Sequence, residues 1–160
     1  MLVLGTKNSG TQTVLADGIV NIGSVYRKYC RKNRCGVPAF SRTSQDVSLQ
    51  HEGIYHITAT FVVSAPAAGD VTVQLLENGE VIDGVLATET ITTATTEFRS
   101  MVIDYLALVD KDCVLGQEST LAKTISFQNT GVDATFTGVV VNVVKEVQYA
   151  KRKNDGYAYA

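Results

Sequence analysis

Tryptophan is absent from the 160-residue chain, proline occurs only twice, histidine twice and cysteine three times. So little proline excludes collagen-like and proline-rich classes. Long apolar runs are missing too. Stretches such as Val139–Val141 fall far short of the roughly 20 residues a helix needs to cross a bilayer. Between Met1 and Gly5-Thr6-Lys7 only Leu2, Val3 and Leu4 are apolar, so no secretory signal is expected. What is present is 45% apolar and 19% charged residues, a balance that supports a buried core and argues against disorder. The length fits one domain with short extensions.

The scarce residues also limit the chemistry. Cys30 and Cys35 are separated by four residues and Cys113 is distant. A zinc site needs about four soft or imidazole ligands, and His51 and His56 would have to converge with all three cysteines to supply them. Free thiols are the default in a reducing compartment, and a Cys30–Cys35 bridge is sterically open but cannot be deduced from three cysteines. A Ser-His-Asp set can be written as Ser64, His56 and Asp104, yet no Gly-x-Ser-x-Gly elbow accompanies it. The acidic turns Asp110-Lys111-Asp112 and Glu77–Asp83 lack the dense oxygen spacing of a calcium loop. Gly-rich phosphate cradles are absent. No enzyme activity, metal or cofactor is expected.

Charge is split along the chain. From Thr43 to Val144 there are three basic residues, Arg99, Lys111 and Lys123, against thirteen acidic ones, a net charge of −10. The two ends hold the other eleven basic residues and only Asp17, Glu146 and Asp155, giving +8. Five of the seven tyrosines lie in the ends, and all five phenylalanines (Phe40, Phe61, Phe98, Phe127 and Phe136) lie at or inside the acidic middle. The densest basic stretch is Arg27, Lys28, Arg31, Lys32 and Arg34, interleaved with Tyr26 and Tyr29. Such a segment can dock on a carboxylate-bearing protein, where Tyr and Arg are favoured anchors. It can equally be a solvated arm, or neutralise phosphates and stack on bases. The acidity of the remaining chain disfavours nucleic acid.

The body reads as β-structure. From Gly53 to Ser64, Tyr55, Ile57, Ala59, Phe61 and Val63 share one face, and Ile54, His56, Thr58, Thr60 and Val62 the other. The cluster Ala65-Pro66-Ala67-Ala68-Gly69-Asp70 marks a turn. Asn78-Gly79, between alternating Val71–Leu76 and Val81–Leu86, is a strong hairpin signal. Thr90–Thr96 reads as an exposed edge or connection. Further strands are expected over Phe98–Val109, Leu121–Phe127 and Thr135–Val144, with no capped helix anywhere. About eight short strands spaced by turns imply an all-β sandwich or jelly roll.

Three segments carry a resemblance. Gly53-Ile54-Tyr55-His56-Ile57, Leu75-Leu76-Glu77-Asn78-Gly79-Glu80-Val81 and Ala134-Thr135-Phe136-Thr137-Gly138-Val139-Val140 resemble elements of the complement-type globular head. That jelly roll is shared with tumour necrosis factor-like ligands and with spore-surface and phage proteins. The order and spacing hold over residues 35–145. Gly10-Thr11-Gln12-Thr13-Val14 and Ala65–Val73 are similar to segments of small structural proteins encoded by phages and prophages of gut Firmicutes. No collagen stalk precedes the body, which sets the chain apart from secreted complement-like proteins.

In the last strand Phe136, Gly138, Val140, Asn142 and Val144 fall on one face by strict alternation, and Val139, Val141 and Val143 on the other. One face covers the core, so the second apolar row needs a cover too, from a partner subunit or from the chain's own N-terminal segment. The resemblance implies a homotrimer, with His56, Val139, Val141 and Val143 at the interface. The expected organisation is a basic N-terminal arm (1–34) with short extended segments, a jelly roll (35–145) and a basic, tyrosine-containing tail (146–160). The resemblance further implies that both ends emerge at one pole. Tyr26, Arg27, Lys28, Tyr29, Arg31, Lys32, Arg34, Tyr149, Lys151, Arg152 and Tyr157 would then dock on a major capsid or other virion protein. The expected role is a non-enzymatic virion protein, a capsid decoration, head fibre or minor capsid component. It would be made in the bacterial host cytoplasm and carried on the phage particle, without membrane association. The rival is a tail-fibre tip that binds a host receptor, such as a surface glycan, through loops Ala65–Asp70 or Glu77–Gly84.

Overall fold

The computed structural model describes residues 2–30, 39–114, 117–120 and 122–145, with backbone alone for 111–114 and 117–120. Thirteen strands run through these residues: β1 (Leu2–Asn8), β2 (Gln12–Val14), β3 (Ser24–Tyr29), β4 (Phe40–Arg42), β5 (Asp46–Leu49), β6 (Gly53–Ser64) and β7 (Gly69–Glu77). They continue with β8 (Glu80–Ile91), β9 (Arg99–Val109), β10 (Lys111–Val114), β11 (Gln117–Thr120), β12 (Lys123–Asn129) and β13 (Ala134–Lys145). Two antiparallel sheets form the sandwich. The six-stranded sheet runs β3-β1-β13-β6-β9, with β2 also paired to β13, and the five-stranded sheet runs β4-β5-β12-β7-β8. Strands β10 and β11 pair as a separate ribbon.

The core lies between the sheets and follows the two-residue period of the strands. In β6, Tyr55, Ile57, Ala59, Phe61 and Val63 are buried, while His56 and Ile54 are exposed. Phe61 meets Phe127 edge-on at 5.3 Å and Phe136 at 6.1 Å, tying the two sheets together, and Phe40 meets Tyr55 at 5.8 Å. Edge-on aromatic pairs of this kind add about 0.5–1.5 kcal/mol beyond the area they bury. Phe98 is the exception among the phenylalanines, half exposed just before β9. The hairpin joining β7 to β8 turns at Asn78 and Gly79, both at positive φ (54° and 80°), as a tight turn matched to strand twist requires.

Residues 2–30 are not an arm outside the body. Strand β1 pairs with β13 on one side and β3 on the other, and Leu2 and Leu4 enter the core. Between β2 and β3 the chain crosses to the other sheet. The Val20 amide donates to the Phe127 carbonyl (2.8 Å), the Asp17 amide to the Asn129 carbonyl (2.7 Å), and Val20 and Ile22 are fully buried. Asn129, itself buried, donates its side-chain amide to the carbonyls of Val14 (3.1 Å) and Val132 (2.8 Å), locking this crossing in place. The expected division at residue 35 therefore does not separate the sheet from an appendage. The first thirty residues read as solvated because their charges sit on edge strand β3 and on the outside of β1.

Candidate functional site: the outer face of the six-stranded sheet

Both sheets turn one face to the core, so the outer faces decide what the molecule can contact. Strand β9 sets the character of the six-stranded sheet. Met101, Ile103, Ala107 and Val109 point inward and are buried, yet Val102, Leu106 and Leu108 on the other side are 56%, 64% and 50% exposed. Register carries this apolar band across the sheet. Leu106 lies opposite His56, His56 opposite Val144, Val144 opposite Val3, and Val3 opposite Tyr29. One row along, Leu108 faces Ile54; two rows the other way, Val102 faces Thr60 and Thr60 faces Val140.

Two polar features interrupt the band. His56 Nε2 is paired with Asp104 Oδ1, and Thr58 Oγ1 reaches the same carboxylate at 3.5 Å. Beyond Asn142, the Tyr26 ring lies flat over Gly5. A Cβ on Gly5 would stand 2.8 Å from that ring, so only glycine leaves room for it. The Tyr26 hydroxyl donates to Asn142 Oδ1 (2.6 Å), and Lys7 Nζ and the Arg27 guanidinium sit 6.0 and 5.9 Å from the ring centre.

The expected interface residues fall on both sides of the sheet. His56 is on the outer face. Val139, Val141 and Val143 are buried in the chain's own core, so they are corrected here from interface to core. The cause is a β-bulge: Phe136 pairs with Val63 but Gly138 with Val62, so Thr137 is an extra residue. Each one-residue slip exchanges the two faces of a strand. Phe136 and Val139 thus both point inward, and Val140, Asn142 and Val144 point outward. Val3, Ile54, Val102, Leu106 and Leu108 were missed altogether. For Val102, Leu106 and Leu108 the signal was present in β9, which is apolar in both parities.

Of the expected docking residues, Arg27, Lys28 and Tyr29 are exposed on edge strand β3, while Tyr26 is committed to Gly5 and Asn142 within its own sheet. Arg31, Lys32, Arg34, Tyr149, Lys151, Arg152 and Tyr157 lie outside the described residues. Leu2 is the register partner of Lys145 and Val3 of Tyr29, so the end of β3 and the outer ends of β1 and β13 share one pole. Near that pole Lys145 packs over the Tyr55 ring, 5.6 Å from its centre, and desolvation holds its ammonium below the usual lysine range. Burial pushes the Tyr55 phenol up to about 12; its hydroxyl donates to the His51 carbonyl at 2.6 Å.

At the opposite end, Thr11, Ser64, Ala65, Pro66, Thr95, Phe98, Thr135 and Thr137 line a shallow cleft of about 290 Å³. The loop beside it is held by Glu97, whose carboxylate accepts from the amides of Thr92 (2.7 Å) and Thr93 (2.8 Å) and from Arg99. Those bonds lower the Glu97 carboxyl to about 2. Ser64 and His56 are eight residues apart on one strand, roughly 26 Å at strand rise, so they cannot act together with Asp104. Among the described residues no three or more His, Cys, Asp or Glu side chains form a group able to hold a metal ion. No helix among them is long and apolar enough to cross a membrane.

No protein-family model and no curated protein matches this sequence. Solved structures do match its fold. The globular domain of zebrafish complement 1qA protein superposes with a TM-score of 0.59 at 6% identity, covering 93% of this chain and all of that one. The Eiger tumour necrosis factor of S. frugiperda gives 0.59 at 12% identity, covering 96% of each chain. The PRD1 vertex protein P5 gives 0.52 at 14% identity, covering 91% of this chain and 97% of that one. The chain is an all-β jelly-roll sandwich with the fold of the tumour necrosis factor and complement heads.

Proposed function

We propose that the protein is a non-enzymatic structural component of a phage particle. It assembles as a homotrimer through the outer face of its six-stranded sheet and docks on a capsid or other virion protein through its basic ends. The observation that carries this reading is the apolar band from Leu106 and Leu108 across to Val3. A monomeric soluble protein seldom exposes a contiguous patch of this kind, and covering it releases about 25 cal/mol per Å² of apolar area. A closed ring of identical copies is the common way to cover such a surface without leaving an open end. Docking is supported by the convergence of Arg27, Lys28 and Tyr29 with the ends of β1 and β13. Three copies would triple that charge at one base and raise its effective affinity. A particle vertex is the place named for one protein of this fold, which is in keeping with a virion role.

The first test is the native mass of the full chain at micromolar concentration. A trimer is expected, and a monomer at every concentration would remove the reading. The second is charge reversal, Arg27→Glu with Lys28→Glu. This is preferred to truncating residues 1–34, which would delete three paired strands. Lost particle binding with the trimer intact supports docking through the basic pole. Retained binding to host cells by a variant that no longer joins particles would instead favour the tail-fibre tip, for which the cleft beside Ala65 and Pro66 is the recognition surface.

A further inference from the structure

A polar, titratable pair in the middle of an apolar face is ordinary while water stays there and consequential if water leaves. His56 and Asp104 contact each other with their side chains 47% and 63% exposed, between Leu106 on one side and Thr58 on the other. Among the described residues, the strands next to His56 place no other carboxylate, ammonium or guanidinium opposite it or directly along its row. β13 presents Val144 and Asn142, β1 presents Val3, and on β3 the same row ends at Tyr29, with Arg27 a row away.

The geometry points to self-association that is coupled to proton uptake by His56. This rests on the proposal that copies of the chain cover this face. In the free chain, water solvates Asp104 whether or not His56 is charged. Covering the face removes that water, and a buried carboxylate beside a neutral imidazole leaves one uncompensated charge per copy, which low-dielectric surroundings penalise. A protonated imidazole cancels it. Assembly therefore takes up protons. It strengthens as pH falls and weakens as pH rises. Each proton taken up is worth at most about tenfold in the association constant per pH unit. Replacing either partner changes the sign or removes the effect. Without the carboxylate, a charged His56 becomes the unpaired group and association weakens as pH falls.

Sedimentation velocity of the full-length chain, His56→Gln and Asp104→Asn between about pH 8 and 6 tests this. Both positions are exposed, and far-ultraviolet circular dichroism verifies that each variant is folded. The expected result is wild-type association that tightens with falling pH, a flat His56→Gln profile and a reversed slope for Asp104→Asn. The His56→Gln profile also absorbs any effect of overall charge. Wild-type association without a pH slope, or a slope that survives in His56→Gln, overturns the proton coupling and leaves the assembly standing. Absence of wild-type association at every pH overturns both.

Discussion

The two outer faces of the sandwich are built by the same strand geometry and differ in almost every other respect. On the five-stranded sheet, the outward residues include Ser41, Ser48, Thr72, Gln74, Thr88, Ser126 and Gln128, with Val81 and Leu86 as large exposed apolar residues among them. Their polar groups satisfy one another across strands: the hydroxyls of Thr72 and Thr88 lie 2.9 Å apart, and Thr90 donates to Asp70 at 2.7 Å. On the six-stranded sheet, the corresponding positions are Val3, Ile54, Val102, Leu106, Leu108, Val140 and Val144. A face of hydroxyls and amides is at ease in water. A face rich in aliphatic side chains gains free energy when it is covered, and that contrast is why the proposed assembly rests on one sheet alone.

The sharpest way to break the comparison is to place a charge on each face. Leu106→Glu is expected to weaken self-association by at least about 100-fold, since one apolar anchor is lost and a charge must be desolvated. Thr88→Glu should leave it unchanged. Sedimentation velocity reads both, and equal effects would erase the distinction between the faces. Next in size is the contrast between the two sides of β13. Val141→Ala removes buried methyl groups and should cost about 2 kcal/mol of folding stability in urea titration. Val140→Ala should cost far less in folding and show its effect in association.

A smaller effect is expected at Thr6, on the inner side of β1, where the fully buried hydroxyl oxygen has no hydrogen-bond partner. Thr6→Val should therefore stabilise the fold by about 1 kcal/mol, because an unsatisfied buried hydroxyl is replaced by a methyl of the same shape. The smallest effect concerns the loop at residues 92–98. The Glu97 carboxyl is held at about 2, against an ordinary value of 4.5. Its ionised form favours the folded loop, so that contribution is complete above about pH 4.5 and fades as pH falls toward 2. Relative to their intrinsic rates, the Thr92 and Thr93 amides should lose exchange protection over this acid range in the native protein, and in Glu97→Gln they should be poorly protected throughout.

Much of the fold was legible because its signals are local. The alternation of β6 names its buried face residue by residue, and Asn78-Gly79 announces its hairpin through two positive φ angles. What escaped depends on non-local pairing. A single extra residue at Thr137 exchanged the faces of β13, and nothing in Ala134–Val144 marks a bulge except Gly138 beside it. The basic Tyr26–Tyr29 segment gave no hint that it would pair with β1, because edge strands carry charge for the same reason that solvated arms do. Tyr26 read as a free anchor, yet it is spent on Gly5 and Asn142. From the sequence, His56 and Asp104 come together only in a hypothetical Ser-His-Asp triad. Their contact follows from the register of β6 with β9, which places Asp104 opposite Thr58 and within reach of His56.

The order of strands in the six-stranded sheet has a consequence for biosynthesis. Its centre is β13, flanked by β1 and β6, so the earliest strand must wait for the latest before it is paired on both sides. At the usual pace of translation, about 5–20 residues per second, the aliphatic surface stays unassembled for several seconds after β1 leaves the ribosome. Nascent chains crowded on one messenger therefore lack the finished platform through which mature copies would meet. If copies do meet through that face, closure of the roll sets the earliest moment for it, once each polypeptide has emerged through residue 145.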